Sequence, residues 1–195
     1  VMEGDLGFTG LPGKVYVPAE GKAVPGIAFG HDWMKSVGDY HKTLRHLASW
    51  GIAVTAPDTE RGLRPNHAGF AADLVSALQI LAGVKMGNGN VTISPNKLGI
   101  AGHGMGAGCA VLAAEDNPQV KAVAAIYPAD VAPSSIKAAR GLFKPGMVIG
   151  PDDDSDGILG SGNPAKLAYN WSGPVVYRTV KNLSLIHISD GAREA

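Results

Sequence analysis

Residues 97–106, Lys-Leu-Gly-Ile-Ala-Gly-His-Gly-Met-Gly, carry a short apolar stretch into a turn in which every second residue is glycine. Residues 107–114, Ala-Gly-Cys-Ala-Val-Leu-Ala-Ala, continue it with small side chains. A strand turns this tightly into a helix only when the helix lies almost backbone to backbone against the sheet, so the run commits the chain to helices layered on a sheet. The spacing is that of the Gly-x-Ser-x-Gly elbow, whose central side chain is thrust to the top of the sheet. Here the centre is Gly104. The scaffold for an acyl-transfer nucleophile is legible, and its attacking atom is absent.

Two other readings compete. Glycine-rich turns after a strand also open phosphate sites, because bare backbone N–H groups at a helix N-terminus hold anions. That version needs Gly-x-Gly-x-x-Gly, whereas the glycines here stand at 102, 104, 106 and 108. The strand also lies deep in the chain, and no acidic residue ends a strand about 20 residues later to hold a ribose. A purely structural turn is the second alternative. The elbow derivative accounts for more of the residues than either.

With 195 residues, 45% hydrophobic and 17% charged, the chain can bury one sizeable core, which predicts a single α/β domain over residues 1–182. Lysine plus arginine equals aspartate plus glutamate at 17 each, so no net field favours nucleic acid or an anionic membrane. The lone Cys109 excludes an internal disulfide. No run of about 18 apolar residues exists, so no membrane span is expected. Neither composition nor the N-terminus separates a cytosolic from a secreted protein. The chain starts at Val1 without methionine, which fits a start lost to truncation.

Apolar periodicity gives alternating strands and helices. Strands are expected at residues 14–17, 24–29, 52–56, 98–101, 120–126, 147–150 and 175–180. Helices are expected where Tyr40, Leu44, Leu47 and Ala48 recur up to Trp50, and where Asn66 caps a stripe of Phe70, Leu74, Leu78 and Leu81 ending near Gly83. Shorter ones are expected at 134–140 and 164–170. Strands joined by helical crossovers imply a doubly wound, mostly parallel sheet covered on both faces.

Three runs carry a resemblance: Ile27-Ala28-Phe29-Gly30-His31-Asp32-Trp33, then Leu47-Ala48-Ser49-Trp50-Gly51-Ile52-Ala53-Val54-Thr55-Ala56-Pro57-Asp58, then Gly102-His103-Gly104-Met105-Gly106. In order and separation they resemble the α/β-hydrolase superfamily. Within it the chain resembles the dienelactone hydrolase, chlorophyllase and cutinase-like polyester hydrolase group, over about residues 10 to 182. The resemblance implies hydrolysis of small-molecule or polymeric carboxylic esters by a Ser-His-Asp triad with an oxyanion hole and no cofactor. Gly104 then stands at the nucleophile position. The oxyanion-hole donors would be the backbone N–H groups of Met105 and His31. The triad acid would be Asp154, with Asp152 as second choice, in the loop after the strand at 147–150.

The family's histidine should follow the strand at 175–180, and there the likeness ends. Residues 183–189, Leu-Ser-Leu-Ile-His-Ile-Ser, look like a translated sequencing adapter, so 183–195 is read as a non-native tail, His187 as accidental and the fold as incomplete at its C-terminus. His103 is expected to pack beside the elbow and, with Trp33, to border a substrate pocket. His31 and Asp32 are adjacent in one loop and are not expected to converge as a catalytic or metal pair. His41 and His46 read as solvated, and Cys109 as a small core residue. Residues 152–157 match the first half of a calcium loop, but Asn163 stands where its twelfth-place glutamate belongs, so no metal is expected.

Two classes of function remain. One is an ester hydrolase present here in a Gly104 form. The other is a non-catalytic pseudo-hydrolase that keeps the cleft and binds a small apolar ligand or a protein partner.

Overall fold

In chain order the strands are β1 (Met2–Asp5), β2 (Gly13–Val17), β3 (Gly21–Gly30), β4 (Ala53–Pro57), β5 (Val91–His103), β6 (Val120–Ile126), β7 (Gly146–Pro151) and β8 (Val175–Val180). They join in one sheet ordered β1-β2-β4-β3-β5-β6-β7-β8. The computed structural model describes residues 1–83, 88–152 and 163–181. β1 and β2 run antiparallel at one edge, and β2 meets β4 antiparallel. Every other pairing is parallel. The sheet is therefore mostly parallel and flanked by helices, as expected of an α/β-hydrolase fold.

The helices are α1 (His41–Ser49), α2 (His67–Gly83), α3 (Met105–Glu115), α4 (Ser135–Ala138) and α5 (Asn163–Asn170). Asn66 caps α2, its side-chain oxygen accepting the Gly69 N–H at 3.0 Å. Phe70, Leu74, Leu78 and Leu81 are fully buried along that helix. Each contributes about 1.5–3 kcal/mol relative to exposure. The predicted helix at 40–50 begins instead with a 3-10 turn, Val37–Tyr40, closed by a capping box between Ser36 and Asp39.

Alternation along β5 divides the core. Leu98 and Ile100 join the cluster under α2 and α3, while Ala101 turns to the opposite face with Phe29, Tyr40, Leu44 and Val54. The second face carries a helix as well, as a doubly wound sheet requires. Among the described residues the one helix there is α1, which packs over β2 and β4. Beside it lies an apolar groove of about 410 Å³, floored by Gly99, Ala101, Ala122 and Ala124 and walled by Leu47, Ile126 and Met147. A nine-residue helix is too short and too far toward one edge to span β5 to β7 as well.

Chain order reverses at β3. From it the chain passes through α1 to β4 on one side, then through α2 across to β5 on the other. Such a switch point leaves a crevice at the carboxyl ends of the two flanking strands, here between the loop after β3 and the turn after β5.

Candidate functional site

The turn between β5 and α3 is built on backbone-to-backbone contact. Gly30 pairs with Gly102 across the sheet. A Cβ on Gly102 would lie 2.3 Å from the carbonyl oxygen of Gly106, and one on Gly106 would lie 2.2 Å from that of Gly30. No other residue fits either place. Gly104 adopts φ +56° and ψ −118° at the N-cap of α3, a conformation that L-residues rarely hold. Its N–H donates to Ile126 at 3.0 Å and its carbonyl accepts from Ala129 at 3.0 Å, so the turn is fixed from β6 and the loop beyond it. The elbow is formed in full around a residue with no side chain.

The space above Gly104 is filled from another loop. A Cβ on Gly104 would meet Asp32 Oδ1 at 1.9 Å and its carboxyl carbon at 2.2 Å. The same Oδ1 accepts the backbone N–H of Met105 at 2.8 Å. The carboxylate thus lies at the positive end of α3, on the Met105 N–H.

Asp32 is itself held in place. Its backbone N–H donates to the Tyr40 oxygen at 3.1 Å, and that hydroxyl lies 2.7 Å from His103 Nδ1. The Tyr40 oxygen thus bonds both the Asp32 N–H and His103 Nδ1, while His103 Nε2 is buried with no hydrogen-bond partner. Burial holds His103 below the usual histidine range, against the opposing pull of the Asp32 charge. Burial likewise raises the Tyr40 hydroxyl well above its ordinary range. The hydrogen bonds run from His103 through Tyr40 and Asp32 back to Met105, closing a ring around Gly104.

His31 is fully buried, with its ring against Phe70. Both ring nitrogens lie 2.8 Å from backbone carbonyl oxygens, Nδ1 from that of Asp32 and Nε2 from that of Thr59. The imidazole therefore fastens the loop after β3 to the loop after β4. Among the described residues no group of three or more potential ligands could hold a metal.

In front of the elbow lies a cleft of about 290 Å³ lined by Asp32, Trp33, Leu63, Pro65, His67, Met105, Ala129, Asp130 and Val131. The Trp33 indole N–H donates to the Leu63 carbonyl at 3.3 Å, which ties the rim together.

The family model for PET hydrolase-like proteins matches residues 3–170. The chain belongs to the PET hydrolase-like family. No curated protein matches it.

For a PET hydrolase-like chain the expected site residues separate into two groups. Gly104, Met105, His31, His103 and Trp33 gather at the switch point, although His103 lies behind the elbow, bonded to Tyr40, and does not line the cleft. Asp152 follows β7, exposed, with its N–H donating to Val180. Asp154 and His187 fall outside the described residues. Cys109 is fully buried, and burial pushes its thiol up to about 12, as befits an inert core residue.

Sequence reasoning weighed Asp32 only as a catalytic or metal partner of His31, not as a neighbour of Gly104, and missed Tyr40, Leu63, His67 and Asp130 as site residues. One signal was available: a glycine at the elbow centre removes a side chain, and the loop after β3, which borders the same crevice, carries an aspartate where a filler is needed.

Proposed function

We propose that this PET hydrolase-like chain performs no triad-type ester hydrolysis and serves as a non-catalytic binder of a small ligand with an apolar body in the cleft beside Trp33. The observation that carries this reading is the Asp32 carboxylate, which occupies the volume of a seryl Cβ and takes the Met105 N–H. Absence of serine alone would leave an empty elbow with a free donor. Here the neighbouring loop fills the vacancy, so residues 32 and 104 are matched to each other.

The family points to an ester, including a polyester, as the ancestral substrate class. An ester carbonyl needs the Met105 N–H as its charge develops, a donor that supplies about 3 kcal/mol of transition-state stabilisation in such enzymes. With Asp32 on that donor, a developing oxyanion would meet a carboxylate at contact distance.

The test pairs p-nitrophenyl ester hydrolysis with fluorophosphonate labelling of the chain. Release at the rate of buffer and no covalent adduct are expected. A burst of nitrophenol or a stoichiometric adduct would overturn the reading and return the chain to the hydrolases.

A further inference from the structure

We propose that the cleft in front of Gly104 is a binding site for an organic cation, an amine or ammonium carrying an aryl or alkyl body; the proposal rests on the non-catalytic reading above and adds the charge of its ligand. An elbow with a free Met105 N–H presents a positive helix end to a ligand oxygen. In this chain that end already holds Asp32 Oδ1 at 2.8 Å, so the group facing the cleft is the carboxylate and the polarity of the site is reversed.

The rest of the lining fits that charge. Among the described residues no lysine or arginine lines the cleft, and the one imidazole there, that of His67, accepts the Ala132 N–H on Nδ1. Asp130 supplies a second carboxylate, fixed by the Ser134 and Ser135 hydroxyls and the Ile136 N–H. Trp33 is 41% exposed, and its indole is held by the bond to Leu63. An indole face beside a carboxylate attracts an ammonium group by its quadrupole while it packs on the ligand's apolar part. Leu63, Pro65 and Val131 provide the apolar wall, and about 290 Å³ limits the ligand to a small molecule.

The experiment is isothermal titration of the full chain with three probes that share one skeleton: 4-phenylbutylamine, 4-phenylbutan-1-ol and 4-phenylbutyrate. The amine is expected to bind at least about tenfold tighter than the alcohol, with the acid weakest. Asp32→Asn keeps an acceptor for the Met105 N–H and nearly the same shape, and should bring the amine to the level of the alcohol. Raising the salt from about 50 to 500 mM should narrow the preference in the parent chain. Equal, measurable binding of amine and alcohol would overturn the cation proposal and leave the apolar-ligand reading standing. Tightest binding by the acid would overturn it by showing the Met105 donor open to anions. Binding by none of the three would overturn this proposal together with the reading on which it rests.

Discussion

Asp32 and Gly104 share one volume: a Cβ on Gly104 would sit 1.9 Å from Asp32 Oδ1, closer than any real contact. The two positions are therefore coupled in stability, whatever the chain binds. Gly104→Ala should destabilise the fold by about 2–5 kcal/mol, combining the cost of a positive φ with overpacking against the carboxylate. Asp32→Ala alone loses a charge-assisted bond at the end of α3, about 1–2 kcal/mol. In the double variant the overpacking vanishes, so the sum of the two single losses should exceed the double loss by at least about 1 kcal/mol in urea titrations. Strict additivity would mean that Asp32 swings away at no cost and is no part of the elbow.

The fold was largely legible before this pair was. Apolar runs such as residues 24–29 and 120–126 mark strands, although Lys121 and Ala122 of the second are exposed, and the Phe70, Leu74, Leu78 and Leu81 stripe marks α2, because burial is written in periodicity. β1 escaped, since Met-Glu-Gly-Asp at a sheet edge carries no apolar run. The first half of β5 escaped because Ser94, Pro95 and Asn96 interrupt it, and the register with β3 shifts there. The elbow was legible because glycines in backbone contact admit no substitute. The ring His103–Tyr40–Asp32–Met105 was not, because its members come from three separate segments and no local spacing relates them.

That ring titrates. His103 is buried and held below its ordinary 6.5, with Asp32 pulling it up and Lys35 pushing it down. Since the folded value lies below the unfolded one, the unfolded chain binds more protons between the two, and stability rises with pH across that window. The contribution of neutral His103 is present above about 6.5 and is lost as pH falls toward the depressed folded value. Protonation would also leave an N–H on the buried Nε2, which has no hydrogen-bond partner. The melting midpoint should therefore drop more between pH 7.5 and 5 in the parent than in His103→Gln, which does not titrate. Parallel pH profiles in the two proteins would remove His103 as the sensitive group.

Gly104→Ser alone should restore no turnover of activated esters. The new side chain enters at φ +56° against the Asp32 carboxylate, and the Met105 N–H stays taken. A serine hydroxyl without a base is also a poor nucleophile: His31 is spent on two carbonyls, His103 is bonded to Tyr40, and His67 in the cleft wall accepts the Ala132 N–H on Nδ1. Gly104→Ser with Asp32→Ala should reopen the donor and the space. It should still lack a base, so any rise should stay within about 10³–10⁴ over buffer, the residue that an oxyanion hole and binding leave when a triad is broken. Steady-state hydrolysis with an active-site titration checks both variants. Full turnover from the single substitution would mean that Asp32 yields to a side chain at 104 and that a base reaches the elbow, with His67 in the cleft wall and His187 the first two to replace.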